Sequence, residues 1–283
     1  MLRCRPEPAA IIAMSRDIQV EQVSMVFYGR GEPVIALEKV DMRVPAGQFA
    51  SIIGPSGCGK STLLRLVADI AKPHAGTITL GGDTPRAARH AHSLGFVFQA
   101  PTLLPWRSVK QNIELPLDVV GRGSAKRSTR SSAELIELVG LTGFADALPH
   151  QLSGGMQQRV AIARALILTP DILLLDEPFG ALDEITRQRM NLELLRIWSE
   201  SGTSALLVTH SIAEAVFMSD QIYVMSARPG RITSIIDVPL QRPRCLDMMR
   251  SSEFFDCVNR VRDGLFGHQQ SQAMAASEMV EAY

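Results

Sequence analysis

The chain has 283 residues and 46% hydrophobic content, enough for a sizeable core, and balances 29 Lys plus Arg against 29 Asp plus Glu. A formal net charge of zero offers no global basic field for nucleic acid or an anionic bilayer, so any membrane attachment has to run through protein partners. Four irregularly spaced cysteines (Cys4, Cys58, Cys245, Cys257) exclude a disulfide framework and fit a reducing compartment, and no apolar run approaches the roughly 20 residues of a membrane helix.

Residues 1–16 read as a flexible extension in which Arg3, Arg5, Pro6 and Pro8 surround an apolar patch too short for a secretory signal, with Met14 as an alternative start. Ile18 to Val26 and Ala36 to Val44 are apolar, β-branched and partly alternating, with Gly29, Gly31 and Pro33 between them, which predicts two strands of an antiparallel β subdomain. Phe49 to Ile53 has the composition of a buried strand and Ser61 to Ile70 the period of a helix, so a glycine-rich turn leads into an α/β core. From Pro101 to about His150 the strand signal disappears, Ala133 to Val139 has helical spacing and Gly121 to Ser132 is a polar, basic loop; a helical subdomain over about 101–168 is expected. Ile172 to Leu175 and Ala205 to Val208 resume the core strands around a helix over Ile185 to Ser199, a βαβ rhythm that implies a largely parallel sheet. The main domain is thus expected over 17–240, a C-terminal extension over 241–268, and a disordered tail over 269–283, where large hydrophobes are scarce.

Gly54-Pro55-Ser56-Gly57-Cys58-Gly59-Lys60-Ser61-Thr62 fits GxxxxGK[ST] in full and in the strand-to-helix context the motif requires. The glycines let backbone N–H groups turn inward around phosphates, the helix N-terminus adds partial positive charge, and Lys60 and Ser61 suit the β,γ-phosphates and a magnesium ion. Cys58 is expected to be only a small residue within this loop. Asp176 and Glu177 follow four apolar residues, so a buried parallel strand delivers both carboxylates to the ligand edge of the sheet. Asp176 suits a Mg2+ ligand and Glu177 the group that polarises or deprotonates an attacking water. Leu152-Ser153-Gly154-Gly155-Met156-Gln157-Gln158-Arg159 places Ser153 at a helix N-cap before two glycines, which reads either as a second anion cradle or as an ordinary capped helix start.

Together, the Gly54–Thr62 loop, LSGGMQQR from Leu152 and LLLDEP from Leu173 resemble the ATP-binding-cassette family in kind and order, over about Asp17 to Gly264. The resemblance implies an α/β P-loop NTPase fold with a mainly parallel sheet, an N-terminal antiparallel β subdomain and an inserted helical subdomain, binding ATP and Mg2+ and hydrolysing the nucleotide. Carried over residue by residue, Phe27, with Tyr28 beside it, looks like the aromatic that stacks on adenine, and Gln99 like the magnesium- and water-sensing glutamine. Ala181-Leu182-Asp183 looks like the loop that couples two sites, and His210 like the switch histidine. By residue type alone the lesser alternatives are a core side chain for Phe27, a surface amide for Gln99, a helix cap for Asp183 and a loop imidazole for His210. Two positions depart from the family pattern: Gly180 stands where Ser is common, and Ser211 where Asp is frequent.

The resemblance further implies a second copy of the chain in an ATP-sandwich dimer, transmembrane permease subunits, indirectly a solute-binding protein, and a peripheral position on the cytoplasmic face of the inner membrane, with no nucleic acid partner. Gln99 through Arg107, Ser226 through Arg231, Pro243-Arg244 and Ser252 through Phe255 resemble the importer subfamily for nitrate, sulfonate, taurine and related solutes, with Trp106 either core packing or part of the permease-facing surface. The alternative is a soluble cassette ATPase of DNA repair or translation. Against it stand the single cassette, about 90 residues from Lys60 to Ser153, and the lack of heptads. A P-loop kinase leaves the Ser153 motif unexplained.

Overall fold

The computed structural model describes residues 15–29, 31–120, 130–180 and 182–281, with side chains through residue 266. The strands β1 (Ile18–Phe27) and β2 (Val34–Val44) form an antiparallel pair. β3 (Phe49–Ile53) then enters α1 (Lys60–Val67), and β4 (Ala75–Leu80) returns to the other edge of β1, giving the order β2-β1-β4. α2 (Pro85–His90) and β5 (Leu94–Val97) lead to three inserted helices, α3 (Val109–Val120), α4 (Ser132–Leu138) and α5 (Gly154–Leu166). β6 (Ile172–Asp176), α6 (Glu184–Ser201), β7 (Ser204–Thr209), α7 (Ile212–Met218), β8 (Gln221–Met225) and β9 (Ile232–Asp237) complete a second sheet, ordered β5-β6-β7-β3-β8-β9, and α8 (Ser252–Glu281) follows.

The central strands of this sheet are apolar at successive positions because both faces are covered. In β6, Leu173 and Leu175 enter the core under the inserted helices, whereas Ile172 and Leu174 enter the core beneath the three-stranded sheet. β3 divides likewise, with Phe49 and Ile53 on one side and Ala50 and Ile52 on the other. Each fully buried Leu or Ile contributes about 1.5–3 kcal/mol of transfer free energy, so both layers are clamped to one sheet. Its first five strands are parallel, and β9 adds an antiparallel edge to β8.

Four strands were not anticipated from the residues alone: β4, β5, β8 and β9. β5 has only four residues and β4 exposes its first three, so neither shows a sustained period. Over 269–281, part of the stretch where a disordered tail is expected, the backbone belongs to α8, and residues 282–283 lie outside the described chain. Ala, Gln, Met and Glu in this stretch are strong helix formers, and Phe254, Cys257 and Val261 anchor the preceding turns in the core. Of the expected flexible extension, residues 1–14 lie outside the described chain, while Arg16 is tied down by ion pairs to Asp171 at 2.9 Å and Asp83 at 2.5 Å. Residues 121–129 of the expected basic loop also lie outside it. Among the described residues no helix is long and apolar enough to cross a membrane.

Candidate active site

In an open parallel sheet, ligands bind beyond the carboxyl ends of the strands. Here β3 delivers the Gly54–Thr62 loop to that edge, β5 leads to Gln99, β6 ends on Asp176 and Glu177, and β7 leads to His210. A cleft of about 500 Å3 opens there, lined by Phe27, Val34 and Ala36 on the β1–β2 side and by Ser56, Gly57, Gly59, Lys60, Ser61, Thr62, Gln99, Glu177 and Arg228.

The loop between β3 and α1 depends on its glycines. Gly59 has φ +112°, and a Cβ there would lie 2.7 Å from Leu37 Cδ2 and 2.9 Å from the Ala36 carbonyl oxygen, so a side chain would collide with β2. Gly59 also precedes α1, whose first-turn N–H groups have no partners within the helix and are available to an anion. Lys60 is buried, and its Nζ donates to the carbonyl oxygens of Gly54 (2.8 Å) and Pro55 (2.9 Å), which holds the ammonium across the loop. Pro55 and Ser56 shape the same turn. Cys58 is buried, and burial pushes its thiol up, so it is a packed side chain rather than a thiolate.

Ser61 Oγ donates to Asp176 Oδ1 at 2.7 Å. One hydroxyl and one buried carboxylate side by side are hard oxygen donors of the kind magnesium takes when phosphate oxygens supply further positions, so the residues present fit the ion. Gln99 is exposed at the same cleft.

Glu177 adopts φ +43°, a left-handed conformation uncommon for a non-glycine residue. Its N–H donates to Val208 O at 2.9 Å, and its own carbonyl oxygen accepts from the Gly180 N–H at 3.1 Å. This turn aims the carboxylate into the cleft, where Oε2 lies 3.1 Å from His210 Nδ1. A Cβ at Gly180 would meet Glu177 Oε2 at 3.4 Å, an ordinary contact, so a serine at this position would also fit. Ser211 caps α7, its hydroxyl accepting from the Glu214 N–H at 3.3 Å, a task an aspartate at that position would also perform. Below this turn, Glu214 is buried, Thr209 Oγ1 donates to its carboxylate, and burial pushes its carboxyl up.

Phe27 is 47% exposed and faces the cleft, so it is not a core side chain; Tyr28 does not line the cleft and lies beside His74 instead. Trp106 is 72% exposed, which rules out core packing. Ser153, Gly154, Gly155 and Asp183 do not line the cleft. Ser153 caps α5 by accepting from the Met156 N–H at 3.3 Å, and the Cβ position of Gly154 meets open space. Asp183 caps α6 by accepting from the Thr186 N–H at 3.0 Å, and this bond holds its carboxyl below the usual range. A Cβ at Gly155 would lie 4.0 Å from Thr186 Cγ2, so the two caps are neighbours. Ala181 lies outside the described residues.

Three residues escaped the sequence reading. On α5, Gln158 Nε2 donates to Phe98 O at 3.2 Å, and Arg164 donates to Pro101 O at 2.8 Å and Thr102 O at 2.9 Å. They grip the segment that carries Gln99 from both sides, across about 60 residues of chain. Arg228, on the turn between β8 and β9, reaches the cleft itself. Gln158 lies inside the LSGGMQQR motif, but its partner 60 residues away leaves no local signal.

The ABC transporter family matches residues 37–180. The aliphatic sulfonates import ATP-binding protein of Mesorhizobium japonicum is 46% identical, the match covering 82% of this chain and 84% of that one. The nitrate import ATP-binding protein of Synechocystis sp. is 39% identical over 91% of this chain and 98% of its own. Among solved structures, a dimeric ATP-binding cassette in a post-hydrolysis state with ADP and phosphate is 32% identical with a TM-score of 0.65, over 79% of this chain and all of that one.

Proposed function

The chain belongs to the ABC transporter family and is an ATP-hydrolysing subunit of that kind, and from this premise we propose that two copies close over two ATP molecules to drive a membrane permease that imports a small solute of the nitrate, sulfonate or taurine class. The subunit then sits peripherally on the cytoplasmic face of the membrane, and a separate solute-binding protein delivers the cargo. The import names of the relatives support the solute class. They do not favour a soluble repair or translation ATPase.

In this reading the Gly54–Thr62 loop and Lys60 hold the phosphates, Phe27 stacks on adenine, and Ser61, Asp176 and Gln99 hold Mg2+. A bound magnesium ion would offset phosphate charge. Glu177 orients and deprotonates the attacking water, and His210, hydrogen-bonded to Glu177, keeps that carboxylate aimed and senses the terminal phosphate. Asp183 couples the two sites at their interface.

The observation that carries the dimer is the position of Ser153-Gly154-Gly155. This capped helix start, open to space at Gly154, lies outside the cleft of its own chain, and its free N–H groups are suited to the nucleotide held by a second copy. The test uses chains freed of native cysteines, one tagged and carrying Ser56→Cys, the other tagged differently and carrying Ser153→Cys. Oxidation with ATP should join the two tags, and oxidation without ATP should not. A chain that links only to itself, with turnover per chain independent of protein concentration, overturns the sandwich. Uptake of nitrate and alkanesulfonates in cells lacking the chain, restored by wild type but not by Glu177→Gln, tests the solute class.

A further inference from the structure

Among the described residues that line the nucleotide cleft, Lys60, Glu177 and Arg228 ionise. Arg228 is thus a second cation on that lining beside Lys60. A polyphosphate needs such a charge, and Lys60 is already engaged with two loop carbonyls. We propose that Arg228 is a second cationic phosphate-binding residue of this cleft, held at its rim by the turn between β8 and β9. The proposal rests on the reading of the cleft as the ATP site.

The turn is built to hold the side chain in place. Gly230 N–H donates to Ala36 O and Glu38 N–H donates to Gly230 O, each at 3.0 Å, which staples the turn to β2. Arg231 adds an ion pair to Glu38 at 2.6 Å. Ser226 closes the turn on itself, its Oγ donating to Pro229 O at 2.9 Å. A Cβ at Gly230 would fall 2.2 Å from Cys58 O, so the turn is seated directly on the phosphate loop. From that seat one Arg228 guanidinium nitrogen donates to Gly57 O at 3.0 Å.

That bond orients the group without neutralising it, since a carbonyl carries no charge. Among the described residues no carboxylate lies within ion-pair distance of Arg228, and the side chain is exposed at the cleft mouth. Its charge reaches into the loop, where, behind burial, Lys60 and the loop's own backbone N–H groups, it offsets a small part of the upward push on the Cys58 thiol. A planar guanidinium has donors left for phosphate oxygens after giving one to Gly57.

A brace for Gly57 and a phosphate ligand predict different outcomes. With the full-length chain, a fluorescent ATP analogue is displaced by ATP, ADP, AMP and adenosine in wild type, Arg228→Met and Arg228→Lys. Arg228→Met should weaken ATP about three- to fivefold, as for one exposed ion pair, with a smaller loss for ADP and none for adenosine. Arg228→Lys should recover most of the ATP affinity, the difference should shrink in high salt, and kcat at saturating ATP should hold within about twofold while KM rises. Equal losses for all four ligands, or unchanged ATP affinity in a folded Arg228→Met, overturn the proposal. Failure of the wild-type chain to bind ATP would instead strike the reading of the cleft.

Discussion

The Ser61 hydroxyl donates to Asp176 Oδ1 at 2.7 Å, joining the first turn of α1 to the end of β6 across 115 residues of sequence. Two oxygens that belong to separate strand-to-loop transitions thereby become one site, because β3 and β6 flank β7 in the same parallel sheet and end at the same edge. Asp176→Asn keeps the shape and this hydrogen bond but removes the charge. Turnover should fall by about 10² or more, since charge at the phosphates is what this chemistry depends on. A magnesium titration of ATP binding should lose its dependence on the ion, and an unchanged titration would remove Asp176 from the metal site.

Glu177→Gln preserves the left-handed turn and a contact to His210 while abolishing the base. ATP should bind as before, with turnover reduced by an order of 10² or more, and an ATP-bound dimer should accumulate in size-exclusion runs. Near-normal phosphate release from the purified variant would assign the water activation elsewhere.

Phe27→Ala should weaken ATP by roughly 1–3 kcal/mol, the range of base–aromatic stacking, whereas Tyr28→Ala should leave it unchanged because Tyr28 does not line the cleft. Binding isotherms of the two variants decide the matter. The reverse ranking would mean that the base lies on the Tyr28 side of the strand.

Burial raises the Glu214 carboxyl above its ordinary value of 4.5, while the hydrogen bond from Thr209 acts in the opposite direction. A carboxyl raised on folding favours the folded state while it is protonated. That contribution is fully present below the unfolded pKa and is lost as pH rises through the folded one. Glu214→Gln is neutral throughout, so its thermal stability relative to wild type should improve as pH rises from the unfolded carboxyl's range through the raised folded value, and level off beyond it. A melting-temperature difference that stays constant over that range would show that Glu214 does not titrate with folding.

The phosphate loop, the Asp176-Glu177 pair and the capped start of α5 were legible because each is local. A glycine at φ +112°, an N-cap hydroxyl three residues from its donor and a four-residue apolar run are set by backbone geometry within a few positions. Which of these groups share a cleft was not local. Strand order placed Ser61 against Asp176 and His210 against Glu177, kept Ser153 and Asp183 out of that cleft, and turned Phe27 rather than Tyr28 toward it. The grip of Gln158 and Arg164 on the Gln99 segment and the seating of Arg228 on Gly57 belong to the same category. These contacts follow from burying both faces of one sheet beneath two different layers, and the partners they join lie from 33 to 171 residues apart, beyond the reach of any periodicity or capping signal.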